Sequence, residues 1–138
     1  MIVDGIEIKN IKPIPPMEST GEKDVFTFFG LAAFTGQCLE KGLVLFAMSY
    51  KLLDENVLEK SELLSICDSL NSKTFGRLLN TVKSRVDIPE PIIQKLDESL
   101  EKRNWLVHHF FHDRAAHFAD NEGRKQMIKE LGILLSTI

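Results

Sequence analysis

The chain has 138 residues, 43% of them hydrophobic and 27% charged, a composition that excludes a disordered tail, a collagen-like fibre and a membrane protein. A chain of this length fits one domain and can bury a core without disulfide or metal staples. Lys and Arg number 17 against 20 Asp and Glu, and the net charge of −3 excludes a duplex-DNA binder held by bulk positive charge while leaving room for a local basic groove.

Residues 1–24 differ from the rest. Ile2, Asp4, Ile6 and Ile8 fall on one side of an extended segment, and Pro13, Pro15 and Pro16 follow. This pattern predicts an extended arm with one short strand pair and a proline-rich connector. No targeting segment is legible in it. The longest uncharged run, Val25 to Leu39, is shorter than a bilayer span and is stopped by Glu40 and Lys41. The expectation is a cytoplasmic protein with no membrane partner. Cys38 and Cys67 sit in apolar helical patterns, which predicts buried thiols in a reducing compartment.

From residue 25 to 138 the hydrophobic period is helical. The first helix is predicted from Val25 to Glu55, with Leu39, Leu43, Phe46, Tyr50 and Leu53 as its apolar stripe. A short helix is predicted from Ser61 to Leu70. Asn71 and Ser72 are the expected cap of a third, from Lys73 to Arg85. A fourth starts near Asp87 and Pro89 and is expected to continue to Phe118. Asp120 and Asn121 begin a last helix carrying Met127, Leu131, Leu134 and Leu135. The fold class is all-α, an up-and-down bundle of four to five helices with the arm attached.

The fourth helix carries the chemistry. On a wheel with about 100° per residue, Ile93, Leu96, Leu100, Val107, Phe110, Phe111 and Phe118 share one core face. Trp105 falls on the opposite side, where a lone chain would leave it in water. Cover by the N-terminal arm or a dimer interface including Trp105 and His112 would each account for it. A polar stripe of Asp97, Glu101, Asn104, His108 and His112 lies between the faces. Asn104 and His108 are four apart, so the amide is expected to orient the imidazole.

The four histidines, His108, His109, His112 and His117, all fall between positions 108 and 117. Two chemistries fit this cluster. His108 and His112, with Asp113 or His117, have the spacing of metal ligands on one helical face, but the metalloprotease motif is not met because position 109 is His. Alternatively, Arg103, Asn104 and His108 suit phosphodiester cleavage. A histidine can take the proton of an RNA 2′-hydroxyl, and an arginine fork can hold the phosphate. That pair needs neither cofactor nor metal. Arg103 and His108 diverge by about 140° around the helix, so two copies across a two-fold axis would converge them on one cleft.

The run Arg103-Asn104, three residues, then His108, late in a small all-helical chain, resembles the HEPN superfamily. Gly36-Gln37-Cys38-Leu39-Glu40-Lys41-Gly42-Leu43 is similar to that superfamily's early Gln-x-x-Glu helix. Thr74-Phe75-Gly76-Arg77-Leu78-Leu79 is similar to a helix preceding the motif in some members. The resemblance covers residues 26 to 118 and implies a homodimer with Arg103, Asn104 and His108 at its interface. It further implies a metal-independent endoribonuclease, toxin-like or defence-like, with a cognate antitoxin or regulatory protein as partner. Glu40 becomes a candidate partner behind the pair. One branch carries a modified tyrosine two residues after the histidine; here that position is Phe110. Many members are not nucleases, so the alternative is a non-catalytic dimerisation or interaction module.

Charge is polarised along the chain. Lys73, Arg77, Lys83 and Arg85 lie in residues 71–86 with no acid between them, whereas Asp54, Glu55, Glu59 and Glu62 cluster upstream. Lys73, Arg77, Lys83 and Lys102 are therefore the candidate RNA-binding cations.

Overall fold

A computed structural model describes the backbone of β1 (Ile2–Val3) and β2 (Ile6–Glu7), and residues 21–55 and 59–138. The two strands pair antiparallel, with Ile2 opposite Glu7 and Val3 opposite Ile6. The expected proline-rich connector lies outside the described residues. Everything described from Glu22 onward is helical or connects helices: α1 (Glu22–Glu55), α2 (Lys60–Asn71), α3 (Phe75–Arg85), α4 (Glu90–His108), α5 (Phe110–Asp113), α6 (Ala115–Phe118) and α7 (Asn121–Leu135). The protein is all-α.

With 34 residues, α1 runs for about 51 Å and forms the spine of the molecule. It meets α2, α3, α4 and α7. It is also long and apolar enough to cross a bilayer by length and composition, with a window of mean hydropathy 1.2.

Two apolar cores sit along it. The first joins Val25, Phe28 and Ala32 of α1 to Leu106, Phe110, and Met127, Ile128, Leu131 and Leu134 of α7. The second joins Leu43, Val44 and Ala47 to Leu70, Phe75, Leu78 and Val82, with Leu96 and Leu100 of α4 against it. The buried line of α1 is therefore displaced from the predicted stripe. Leu43 is buried and Leu39 half-buried, but Phe46 is exposed and Leu53 is 84% exposed. Cys38 is exposed and Cys67 half-buried, which corrects the expectation of two buried thiols.

Helix starts follow side-chain chemistry. Asp120 caps α7 as expected, accepting from the Gly123 N–H at 2.7 Å. Gly123 is required there, because a Cβ would overlap the His117 carbonyl group. The cap of α3 is Thr74, accepting from the Arg77 N–H, and not Asn71 or Ser72. Those two residues close α2 instead.

The predicted single helix to Phe118 is broken at His109 and again at Arg114, where φ is −128° and −111°. One expected element becomes three. Aromatic packing explains the breaks. Phe110 is fully buried in the first core, while Phe111 lies 4.9 Å from Phe29 and 5.6 Å from Phe26, ring to ring. Phe118 turns back to Phe26 at 5.5 Å. The inner edge of α4 also shifts from the predicted face: Leu106 and Ser99 are buried, and Val107 is 47% exposed.

Candidate functional site

Between the two cores α1 offers Gly36 and Glu40, one turn apart and on one face. Arg103 of α4 crosses it there. A Cβ on Gly36 would lie 3.1 Å from the Arg103 Cγ, so the glycine lets the arginine stem lie against the α1 backbone. The guanidinium then reaches Glu40, with Nη2 donating to Oε2 at 3.3 Å. Nη1 donates to Asn104 Oδ1 at 3.2 Å. The Arg103 and Glu40 side chains are 25% and 22% exposed, so this is a partly desolvated pair at the waist of the molecule.

Asn104 is thus committed to Arg103. Among the described residues no hydrogen bond joins it to His108, which corrects the expected amide–imidazole pair. His108 is the last residue of α4 and exposed, with its ring 6.3 Å from that of His109. Arg103 and His108 lie about 7.5 Å apart along the helix axis and about 140° apart around it.

A second polar cluster forms where the helix breaks. The Trp105 indole N–H donates to Asp113 Oδ2 at 2.9 Å. In a straight helix residues eight apart are separated by about 12 Å along the axis, so the turn at His109 is what brings this pair together. The other carboxylate oxygen, Oδ1, lies 3.2 Å from His112 Nδ1. The indole hydrogen bond, and then the one from His112, hold the Asp113 carboxyl below its ordinary value of 3.8. Arg114 stacks over the Trp105 ring at 5.3 Å from its centroid and makes two bonds to Glu130, of 2.8 and 2.7 Å. Those bonds raise the Arg114 pKa.

Trp105 is therefore half-buried by its own chain, edge-on to Phe110 at 5.4 Å. Phe110 of α5, Arg114 and the first core lie against the indole. Sequence reasoning missed Asp113 as a carboxylate anchored by Trp105, because the break was not legible.

Two cations of the basic run are engaged with acids of other helices. Lys83 pairs with Asp97 at 2.5 Å, and Arg85 with Asp54 at 3.6 Å. Asp97 precedes His108 by about 16 Å along α4. Lys73 donates to the Thr81 hydroxyl at 3.3 Å, and Lys102 is 4.0 Å from Glu98. Arg77 is exposed and, among the described residues, has no ion-pair partner. No group of three or more His, Cys, Asp or Glu is placed to hold a metal ion among the described residues.

Comparison with models of protein families, with curated proteins and with solved structures gives no match.

Proposed function

We propose that this chain is an HEPN-like domain that cleaves RNA without a metal, acting as a cytoplasmic homodimer of toxin or defence type. Arg103 holds the scissile phosphate, Asn104 orients the guanidinium, and His108 takes the proton of the 2′-hydroxyl. The observation that carries this reading is the Glu40–Arg103–Asn104 arrangement. An arginine fixed on one edge by a carboxylate and on the other by an amide is preorganised for an oxyanion, and preorganisation is where such sites gain rate. His108, exposed about one and a half turns further along, is open to substrate. With Lys83 of α3 paired to Asp97, about 16 Å before His108 along α4, a second copy is the natural source of further cations at the cleft.

One observation favours a second reading. Arg103 packs on Gly36 and joins α4 to α1, a use that needs no substrate. A non-catalytic interaction module would keep the same contacts. Incubation of the purified protein with several RNAs in excess chelator separates the two. Cleavage by wild type, lost in Arg103→Ala and His108→Ala with helix content retained, supports the nuclease. No cleavage by wild type, with either variant altering the oligomeric state, supports the module.

A further inference from the structure

Cleavage through the 2′-hydroxyl requires two proton transfers. One group takes the proton from the nucleophile, and another gives a proton to the departing 5′-oxygen. His108 can serve only one of these in a given turnover. The structure offers a second imidazole whose orientation is fixed.

His112 is 88% exposed, yet its Nδ1 faces the Asp113 carboxylate at 3.2 Å. That carboxylate is not a loose surface group. Its other oxygen accepts the Trp105 indole N–H, and Trp105 is held between the Phe110 ring edge and the Arg114 guanidinium. Arg114 is fixed in turn by its two bonds to Glu130 of α7. A carboxylate accepting from Nδ1 sets the tautomer and leaves Nε2 free at the surface, the arrangement by which a third group orients a catalytic histidine. The charged and titratable groups around this pair are Asp113, His109, Arg114 and Glu130.

We propose that His112 is the general acid of the reaction, with Asp113 and Trp105 as its positioning residues. This inference rests on the nuclease reading above. The 2′-oxygen bonds to phosphorus as its proton passes to Nε2 of His108. The bond from phosphorus to the 5′-oxygen breaks as the proton on Nε2 of His112 passes to that oxygen. The products are a 2′,3′-cyclic phosphate and a 5′-hydroxyl, with both imidazoles left in exchanged protonation states for water to reset.

A leaving-group comparison tests it. Rates are measured in chelator on the dinucleotide uridylyl-(3′,5′)-adenosine and on uridine 3′-(p-nitrophenyl phosphate), whose phenolate departs without a proton. His112→Ala is expected to lose about 10²- to 10⁴-fold on the dinucleotide and less than about tenfold on the nitrophenyl ester. His108→Ala is expected to lose heavily on both. Asp113→Asn follows His112→Ala in kind with a smaller loss, and His112→Ala removes the alkaline limb of the pH–rate profile. Nitrogen NMR of His112 is expected to give the Nδ1–H tautomer in wild type and a tautomer mixture in Asp113→Asn. Equal losses for His112→Ala on both substrates overturn the assignment, as does an Nε2–H tautomer in wild type. A fully active His112→Ala beside an inactive His108→Ala overturns the assignment and leaves the nuclease reading standing. A wild type inactive on both substrates overturns both.

Discussion

Arg103 Nη2 lies 3.3 Å from Glu40 Oε2, a contact between residues 63 apart in sequence. It sits where the two apolar cores of the molecule meet. Ala32 and Leu106 belong to one core, Leu43 and Leu100 to the other, and Arg103 with Glu40 occupies the polar layer between them. A partly desolvated pair so placed fixes the register of α4 on α1, because sliding either helix by one turn would leave both charges unpaired. A double-mutant cycle with Glu40→Gln and Arg103→Gln, read by urea unfolding, should give a coupling of about 1 kcal/mol. Additive losses would place the charges in solvent.

The glycines of α1 should separate by their surroundings. Among the described residues nothing lies within 4 Å of a Cβ placed on Gly30 or Gly42, whereas a Cβ on Gly36 meets the Arg103 stem. Gly30→Ala and Gly42→Ala should each raise stability by about 0.5–1 kcal/mol, the helix-propensity gain. Gly36→Ala should gain less, and Gly36→Leu should destabilise by displacing Arg103. Equal gains at all three positions in thermal unfolding would contradict the close approach.

Asp113 gives stability a defined pH dependence. Its carboxyl is held lower in the folded chain than in the unfolded one, so the unfolded state binds more protons as pH falls below about 4. The contribution is complete above that range and disappears as pH falls through the folded value. Wild type should therefore exceed Asp113→Asn in stability at pH 6, and the gap should close toward pH 2. Denaturant titrations at several pH values read this directly, and a constant gap would contradict it.

Caps give the fourth expectation. Asp120 accepts at 2.7 Å and Thr74 at 3.5 Å. Asp120→Ala should cost about 1 kcal/mol and Thr74→Ala about 0.5 kcal/mol, near the lower end for caps. A cost at Ser72→Ala larger than at Thr74→Ala would restore the cap expected from sequence.

Much of this architecture was legible in the sequence because it rests on local period. The helical class, the length of α1 and the Asp120 start of α7 all follow from residues near one another. What escaped rests on tertiary contact. A wheel assumes a straight axis, and the docking of Phe110, Phe111 and Phe118 into α1 bends it at His109 and Arg114. Trp105 thereby finds Asp113 and Arg114, and Val107 moves outward. The basic run suffered from counting one segment alone, since the acids that pair Lys83 and Arg85 are Asp97 and Asp54. At the candidate site Arg103 and His108 were readable from spacing, and Glu40 only from the resemblance of its helix. The role of Gly36 was not, because only the crossing of α4 over α1 gives it meaning.

Metal-independent cleavage of RNA through its own 2′-hydroxyl is reported most directly by the ends of the product. Wild-type protein in excess chelator should leave 2′,3′-cyclic phosphate and 5′-hydroxyl ends, identified by mass spectrometry of the fragments, and His108→Ala should leave the RNA intact. Fragments with 5′-phosphate ends, cleavage that requires an added divalent ion, or intact RNA with wild type would contradict it.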